Sequence, residues 1–121
     1  LEKTIREYQI LSNLQVDLNY EWVDVDMDVM IEDTIFRVIQ ESMTNAVRHG
    51  HASQLRLHFF EDKENYLIAL QDNGVGFETL TYGYGLKQMM ERISILGGQL
   101  QFESSDGFFT RVSLPKYQEG R

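Results

Sequence analysis

The stretch VMIEDTIFRVIQESMTNAVRHG, residues 29–50, decides how this chain is read. Ile31, Ile35, Phe36, Ile39, Met43, Ala46 and Val47 recur at a helical period, and Gly50 stands where such a helix would stop. The spacing predicts the longest helix of the chain, from about residue 29 to residue 48. Along it, Glu41, Asn45 and His49 follow one another at steps of four. At about 100° per residue they fall within about 80° of one another and share a face. Ile35, Ile39, Met43 and Ala46 lie on another arc, so the helix can bury one side and offer a carboxylate, an amide and an imidazole on the other. Taken alone, Glu41 and Asn45 also suit plain solvated positions, and His49 suits a cation favoured at a helix C-terminus.

Upstream, Leu1, Ile5, Tyr8 and Leu11 predict a short amphipathic helix over residues 1–12, and Leu14, Val16 and Leu18 alternate as in a half-buried strand. Residues 20–28 read as connection. Downstream, Leu55, Leu57 and Phe59 alternate, the polar cluster 61–65 interrupts, and residues 66–70 resume, so the simple reading is a hairpin whose second strand ends at Asp72. After an irregular stretch with Gly74, Gly76, Gly83 and Gly85, a second helix follows from Leu86, Met89, Met90, Ile93 and Leu96, ending at Gly97-Gly98. Residues 99–103 and 109–114 read as two more strands about a Ser104-Ser105-Asp106-Gly107 turn, with Pro115 closing the last. The order predicts an α+β fold with helices on one face of a mixed sheet. One domain spans residues 1–115, and residues 116–121 form a loose tail.

The composition narrows the function classes. With 121 residues and 42% hydrophobic content the chain can bury a single core. The absence of cysteine excludes disulfides and thiolate metal sites and fits a reducing compartment, so the cytoplasm is the natural location. No apolar run approaches the roughly 20 residues of a membrane-spanning helix. The start at Leu1 suggests a piece cut from a longer parent, which could itself be membrane-anchored. A net charge of −8 argues against direct binding to a nucleic-acid backbone. It does not exclude a small phosphorylated ligand held by local dipoles, a metal ion or a few placed cations.

Two short segments could serve such a ligand. Asp72-Asn73-Gly74-Val75-Gly76 puts a carboxylate at a strand tip just before a backbone free to turn tightly, although Asp-Asn-Gly is also a common turn. Gly83-Tyr84-Gly85-Leu86 opens the second helix and can point unpaired N–H groups at an anion, although it also suits a flexible loop entering the helix.

Together the segments carry more. Gln40-Glu41-Ser42-Met43-Thr44-Asn45-Ala46-Val47-Arg48-His49 resembles the N-box of bacterial sensor histidine kinases. Asp72-Asn73-Gly74-Val75-Gly76-Phe77 resembles their first glycine box, and Gly83-Tyr84-Gly85-Leu86 their second, in matching order and spacing. Met89-Met90-Glu91-Arg92 followed by Leu96-Gly97-Gly98 looks like the subgroup that pairs with NarL-type response regulators. The resemblance covers residues 1–115. It implies the Bergerat ATP-binding fold, a two-layer α/β sandwich shared with gyrase-type, chaperone and mismatch-repair ATPases.

By the same resemblance, Asn45 would ligate Mg²⁺ bridging the ATP phosphates, and Glu41 would orient a metal-bound water or assist as a base. Asp72 would accept a hydrogen bond from the adenine amine. Gly74 and Gly76 would let the backbone close on the base, while Gly83, Tyr84, Gly85 and Leu86 would shape the phosphate loop. His49 and Arg48 would lie near the phosphates, and Thr110 would support the adenine end. The implied function is transfer of the γ-phosphate to a histidine on a separate dimerisation domain of the same protein. From there it would pass to a DNA-binding response regulator of the NarL type.

Two features depart from the family pattern. Only residues 77–82 separate the glycine boxes, so the ATP lid is very short. Where the family usually has Gly-Thr in the last hairpin, Phe109 precedes Thr110 and would crowd a close backbone approach. None of His49, His51 or His58 lies in a phosphoacceptor motif, so the acceptor belongs elsewhere; His58, between Leu57 and Phe59, is expected to face solvent. Two other readings use the same boxes: a serine kinase of the anti-sigma type, against which Glu91-Arg92 and Leu96-Gly97-Gly98 speak, and a non-catalytic nucleotide-binding module, weakened by intact Glu41, Asn45 and Asp72.

Overall fold

The computed structural model describes residues 14–22, 27–48, 52–74, 84–104 and 107–117, together with residues 3, 6 and 7. The helix expected over residues 1–12 otherwise lies outside the described residues. The described elements run β1 (Gln15–Tyr20), α1 (Val29–Arg48), β2 (Gln54–Glu61), β3 (Asn65–Asp72), α2 (Tyr84–Ile95), β4 (Gln99–Ser104) and β5 (Phe108–Pro115).

The helix α1 begins where the physics of its first turn asks for a cap. The Asp28 carboxylate accepts the N–H of Met30 at 2.8 Å, and the Asp28 carbonyl accepts that of Glu32 at 3.0 Å. Ile31, Ile35, Val38, Ile39, Met43 and Ala46 form its buried stripe. The sequence reading placed Phe36 on that stripe and passed over Val38. Phe36 is instead 37% exposed, because it lies on the flank of the helix that carries Asp33 and Arg37, away from the sheet. The second helix, α2, ends in a Schellman motif: Gly98 N–H donates to Ile93 C=O and Gly97 N–H to Ser94 C=O, both at 2.9 Å. Gly97 takes φ +78°, which costs glycine nothing and a β-carbon much.

The five strands form one mixed sheet in the order β1-β2-β3-β5-β4. β1 and β2 are parallel and bracket α1; the other three pairs are antiparallel. β2 and β3 form the expected hairpin, and Asp62 makes its turn by accepting the N–H groups of Glu64 at 2.9 Å and Asn65 at 2.7 Å. The inward residues of the strands (Leu55, Leu57, Phe59, Ile68, Leu70, Val112, Leu114) join those of both helices in one core, so α1 and α2 cover the same face. Arg56 and Arg111 lie on the opposite face; so does His58, whose Nε2 meets the Glu21 carboxylate at 2.6 Å and whose ring stacks on Phe60.

The segment read as mere connection contributes an anchor. Trp22 is 4% exposed and edge-on to Tyr20, Phe59 and Tyr66 at centroid distances of 5.1–5.7 Å, and Phe59 and Tyr66 are themselves core residues. Its indole N–H donates to the Phe60 carbonyl, so the ring is buried without leaving its donor unpaired. At the other end, Lys116 binds back to the hairpin: its N–H reaches Glu64 C=O at 2.8 Å and its ammonium lies 3.0 Å from Glu61.

Candidate functional site

The sheet and α1 do not close on each other completely. At the end of β3 they leave a narrow cleft lined by Ser42 and Asn45 of α1, Leu55 of β2, Leu70 and Asp72 of β3, Phe102 of β4, and Phe108 and Thr110 of β5. Alternation explains who lines it. Leu55, Leu70, Asp72, Phe102, Phe108 and Thr110 are all inward positions of their strands, and the register sets Thr110 between Leu70 and Phe102. Phe102 and Phe108 stack at 5.5 Å, so four apolar side chains share the lining of this slot with Ser42, Asn45, Asp72 and the buried Thr110.

Asp72 is the charged group of that slot and is 8% exposed. Its Oδ1 accepts the N–H of Gly74 at 2.9 Å and that of Phe108 at 3.2 Å. Burial raises its carboxyl above the ordinary value, and the two backbone N–H groups oppose that rise. No described residue is bonded to Oδ2. The next residue, Asn73, looks outward: its carbonyl oxygen accepts the N–H groups of Ser53 and Gln54, each at 2.9 Å, and its amide donates to Ser53 Oγ at 3.0 Å. This clamps the start of β2 to the end of β3, so within the Asp-Asn-Gly triplet Asp72 faces the cleft while Asn73 fastens the hairpin.

Gly107 holds the far side. It adopts φ +115°, and a β-carbon there would sit 2.1 Å from the Asp72 carbonyl oxygen. The close backbone approach of this hairpin to β3 is thus made at Gly107, two residues before Phe109. Phe109 lies on the outer sheet face, beneath the Arg111 guanidinium at 5.5 Å, and leaves the cleft side of β5 to Thr110.

Asn45, Asp72 and Thr110, named from the sequence, line this one cleft. Glu41 sits one turn before Asn45 on α1, half-buried and outside the cleft lining. Tyr84, Gly85 and Leu86 form the first turn of α2, with the side chains of Tyr84 and Leu86 outside the described set. The side chain of Arg48, and His49, Gly76 and Gly83 with the short lid, also lie outside the described residues. The sequence reading missed Ser42, Leu55, Leu70, Phe102 and Phe108. Ser42 had a signal, standing three residues before Asn45 on the same helix face; the others were legible only as inward strand positions. An apolar slot with a carboxylate acceptor at one end suits a flat heterocycle that presents an N–H donor along its edge.

Residues 30–118 match the model of the family described as histidine kinase-, DNA gyrase B-, and HSP90-like ATPase. The chain is 37% identical over 87 residues to the sensor histidine kinase YxjM of Bacillus subtilis, covering 70% of this chain and 21% of that protein. It is 38% identical over 85 residues to the signal transduction histidine-protein kinase/phosphatase UhpB of Salmonella typhimurium, covering 69% and 17%. The chain therefore spans about a fifth of the length of the curated relatives it matches. Among solved structures, the histidine kinase domain of a blue-light activated kinase of Erythrobacter litoralis shares the fold, with a TM-score of 0.81 at 17% identity over 95% of this chain and 58% of that one. The mixed sheet with both helices on one face, the cleft at the end of β3 and the match over residues 30–118 lead to one conclusion: the chain belongs to the histidine kinase-, DNA gyrase B- and HSP90-like ATPase family.

Proposed function

We propose that this domain, residues 1–115, binds Mg·ATP in the β3 cleft and donates the γ-phosphate to a histidine on a dimerisation domain of the same protein, within a two-component sensor kinase. The observation that carries the reading is Asp72, a buried carboxylate at the end of an apolar slot, oriented by the N–H groups of Gly74 and Phe108. A carboxylate there accepts from the exocyclic amine of adenine and meets a carbonyl in guanine, so it selects ATP over GTP. In this reading Thr110 borders the base, Gly74 turns the chain beside it and the start of α2 offers its N–H groups to the phosphates; Gly76, Gly83, Tyr84, Gly85, Leu86, Arg48 and His49 are assigned to ATP from the motif resemblance alone.

The residues fit a magnesium ion. Among the described residues no three acidic or histidine side chains group to form a protein cage, and the Asn45 amide in the cleft lining makes no hydrogen bond to another described residue. A single neutral oxygen donor suits a hard cation that keeps several waters and takes its remaining ligands from phosphate. Asn45 would hold it, and it would supply neutralisation of phosphate charge. In the transfer, the bond from the γ-phosphorus to the bridging oxygen breaks, ADP leaves, and a phosphorus–nitrogen bond forms to the imidazole. The imidazole proton passes to a base, a role we assign to Glu41. The domain's share is positioning and electrostatics. The phosphate then moves to an aspartate of a response regulator of the NarL type. No described helix is long and apolar enough to cross a membrane; we place the domain in the cytoplasm, on a parent anchored in the membrane.

Thermal unfolding with Mg·ATP and with Mg·GTP tests the reading. A ligand at about a hundred times its Kd adds about 2.7 kcal/mol to the native state, which raises the midpoint by several degrees in a domain of this size. The expected result is a rise with ATP alone, abolished in Asp72→Asn. No rise at saturating ATP, or an undiminished rise in the variant, overturns it.

A further inference from the structure

We infer that Ser42 is a second base-reading residue, whose hydroxyl donates to N7 of the purine. The inference rests on the nucleotide reading above and extends it to a position that reading does not use. Ser42 lies in the cleft lining with Asn45, three residues apart on α1 and so on one face of the helix. Among the described residues its hydroxyl makes no hydrogen bond, and the common alternative for a helical serine, bonding back to a carbonyl one turn earlier, is not taken up. Ser42 Oγ is not a sealed, unsatisfied buried atom, so water partners it in the free domain and a ligand entering the cleft can take that place.

The orientation of the ligand follows from its two ends. With the amine at Asp72 on β3 and the phosphates at Asn45 on α1, a nucleotide in the ordinary anti conformation has its C8 side turned toward the phosphates. The edge bearing N7 then faces α1. Ser42 precedes Asn45 by most of a turn on the α1 wall, while Thr110 lines the cleft from β5; in this placement Ser42 meets the N7 edge and Thr110 the N1 edge. N7 has a lone pair and no proton, so it can only accept, and Ser42 is the hydroxyl donor on that wall. Three groups would thus read the base: Asp72 the amine, Ser42 one flank and Thr110 the other.

The test compares Kd values for Mg·ATP and Mg·7-deaza-ATP, in which a CH replaces N7, for the wild-type chain and Ser42→Ala. Alanine is the better helix former, so the variant should fold at least as well, which its midpoint without ligand verifies. The expected result is about three- to tenfold weaker binding of 7-deaza-ATP by wild type, the worth of one hydrogen bond. Ser42→Ala should bind ATP equally weakly and no longer distinguish the two nucleotides. A variant that keeps wild-type affinity for ATP, or keeps the preference over 7-deaza-ATP, overturns the Ser42 assignment. Asp72→Asn is run beside it: if that variant loses ATP while Ser42→Ala does not, only this inference falls, whereas wild-type chain that fails to bind ATP removes both.

Discussion

Asp72 stands under two opposed influences, burial that favours its protonated form and two N–H groups that favour the carboxylate, and burial is the larger. Its folded-state pKa therefore lies above the ordinary 3.8. A carboxyl with a raised folded pKa contributes stability that is fully present below its unfolded pKa and is lost as pH rises through the folded one. At neutral pH the unliganded domain carries the cost of an ionised, buried group. Asp72→Asn removes that cost while its oxygen can still accept from Gly74 and Phe108. Without nucleotide, the variant should be at least as stable as wild type at neutral pH, and the difference should shrink as pH falls from about 8 toward about 4. Unfolding midpoints across that range check it; a variant less stable at neutral pH and equal in acid would show that the carboxylate stabilises the fold. In the proposed reading such a residue serves the ligand rather than the fold, and its position at a strand tip before Asn-Gly was readable in advance. That Asn73 beside it is a clamp was not, because Ser53 and Gln54 lie about twenty residues away.

At the scale of elements, the cleft depends on how the β4–β5 turn meets the end of β3. Gly107 carries that contact, with its left-handed φ and its backbone against the Asp72 carbonyl. Gly107→Ala adds both strain and a clash with main chain that cannot swing aside as a side chain would. We expect a loss of at least about 2 kcal/mol in urea unfolding, and weaker ATP binding because Asp72 must shift to make room. Unchanged stability would mean that the turn is free to move away from β3. The sequence marked Gly107 only as a turn residue. Helix α1, in contrast, was readable almost to its ends, since seven apolar positions over five turns repeat one period. Its errors came at the edge of the stripe, where a side chain such as Phe36 reaches core or solvent according to what lies opposite. The turn at Asp62 is similarly local: three neighbouring residues close it, and those N–H groups hold the carboxyl below its ordinary value.

At the scale of the whole molecule, a chain of net charge −8 is asked to hold an anion. If backbone dipoles at α2 and a metal at Asn45 do the holding, the surrounding field opposes binding and salt relieves it. Mg·ATP affinity should then stay level or rise between about 0.05 and about 0.3 M NaCl at constant free Mg²⁺. A steep fall, measured by calorimetry, would transfer the phosphate-holding role to clustered cations. The sequence by itself determined most of the elements: periods of 3.6 and 2, the glycine stop of α2, the carboxylate at the tip of β3 and the four-residue step from Glu41 to Asn45 on α1 are each written within a few consecutive turns or strand residues. The tertiary structure alone decided that β5 lies between β3 and β4, which sets Thr110 beside Leu70 and faces Phe109 outward. It also seated Trp22 on Phe59 and Tyr66, and brought Ser42 to the wall of the slot. The reason is physical: periodicity is a property of neighbouring residues, whereas strand order and the lining of a cleft arise from mutual packing of surfaces far apart in the chain, whose fit no single segment encodes.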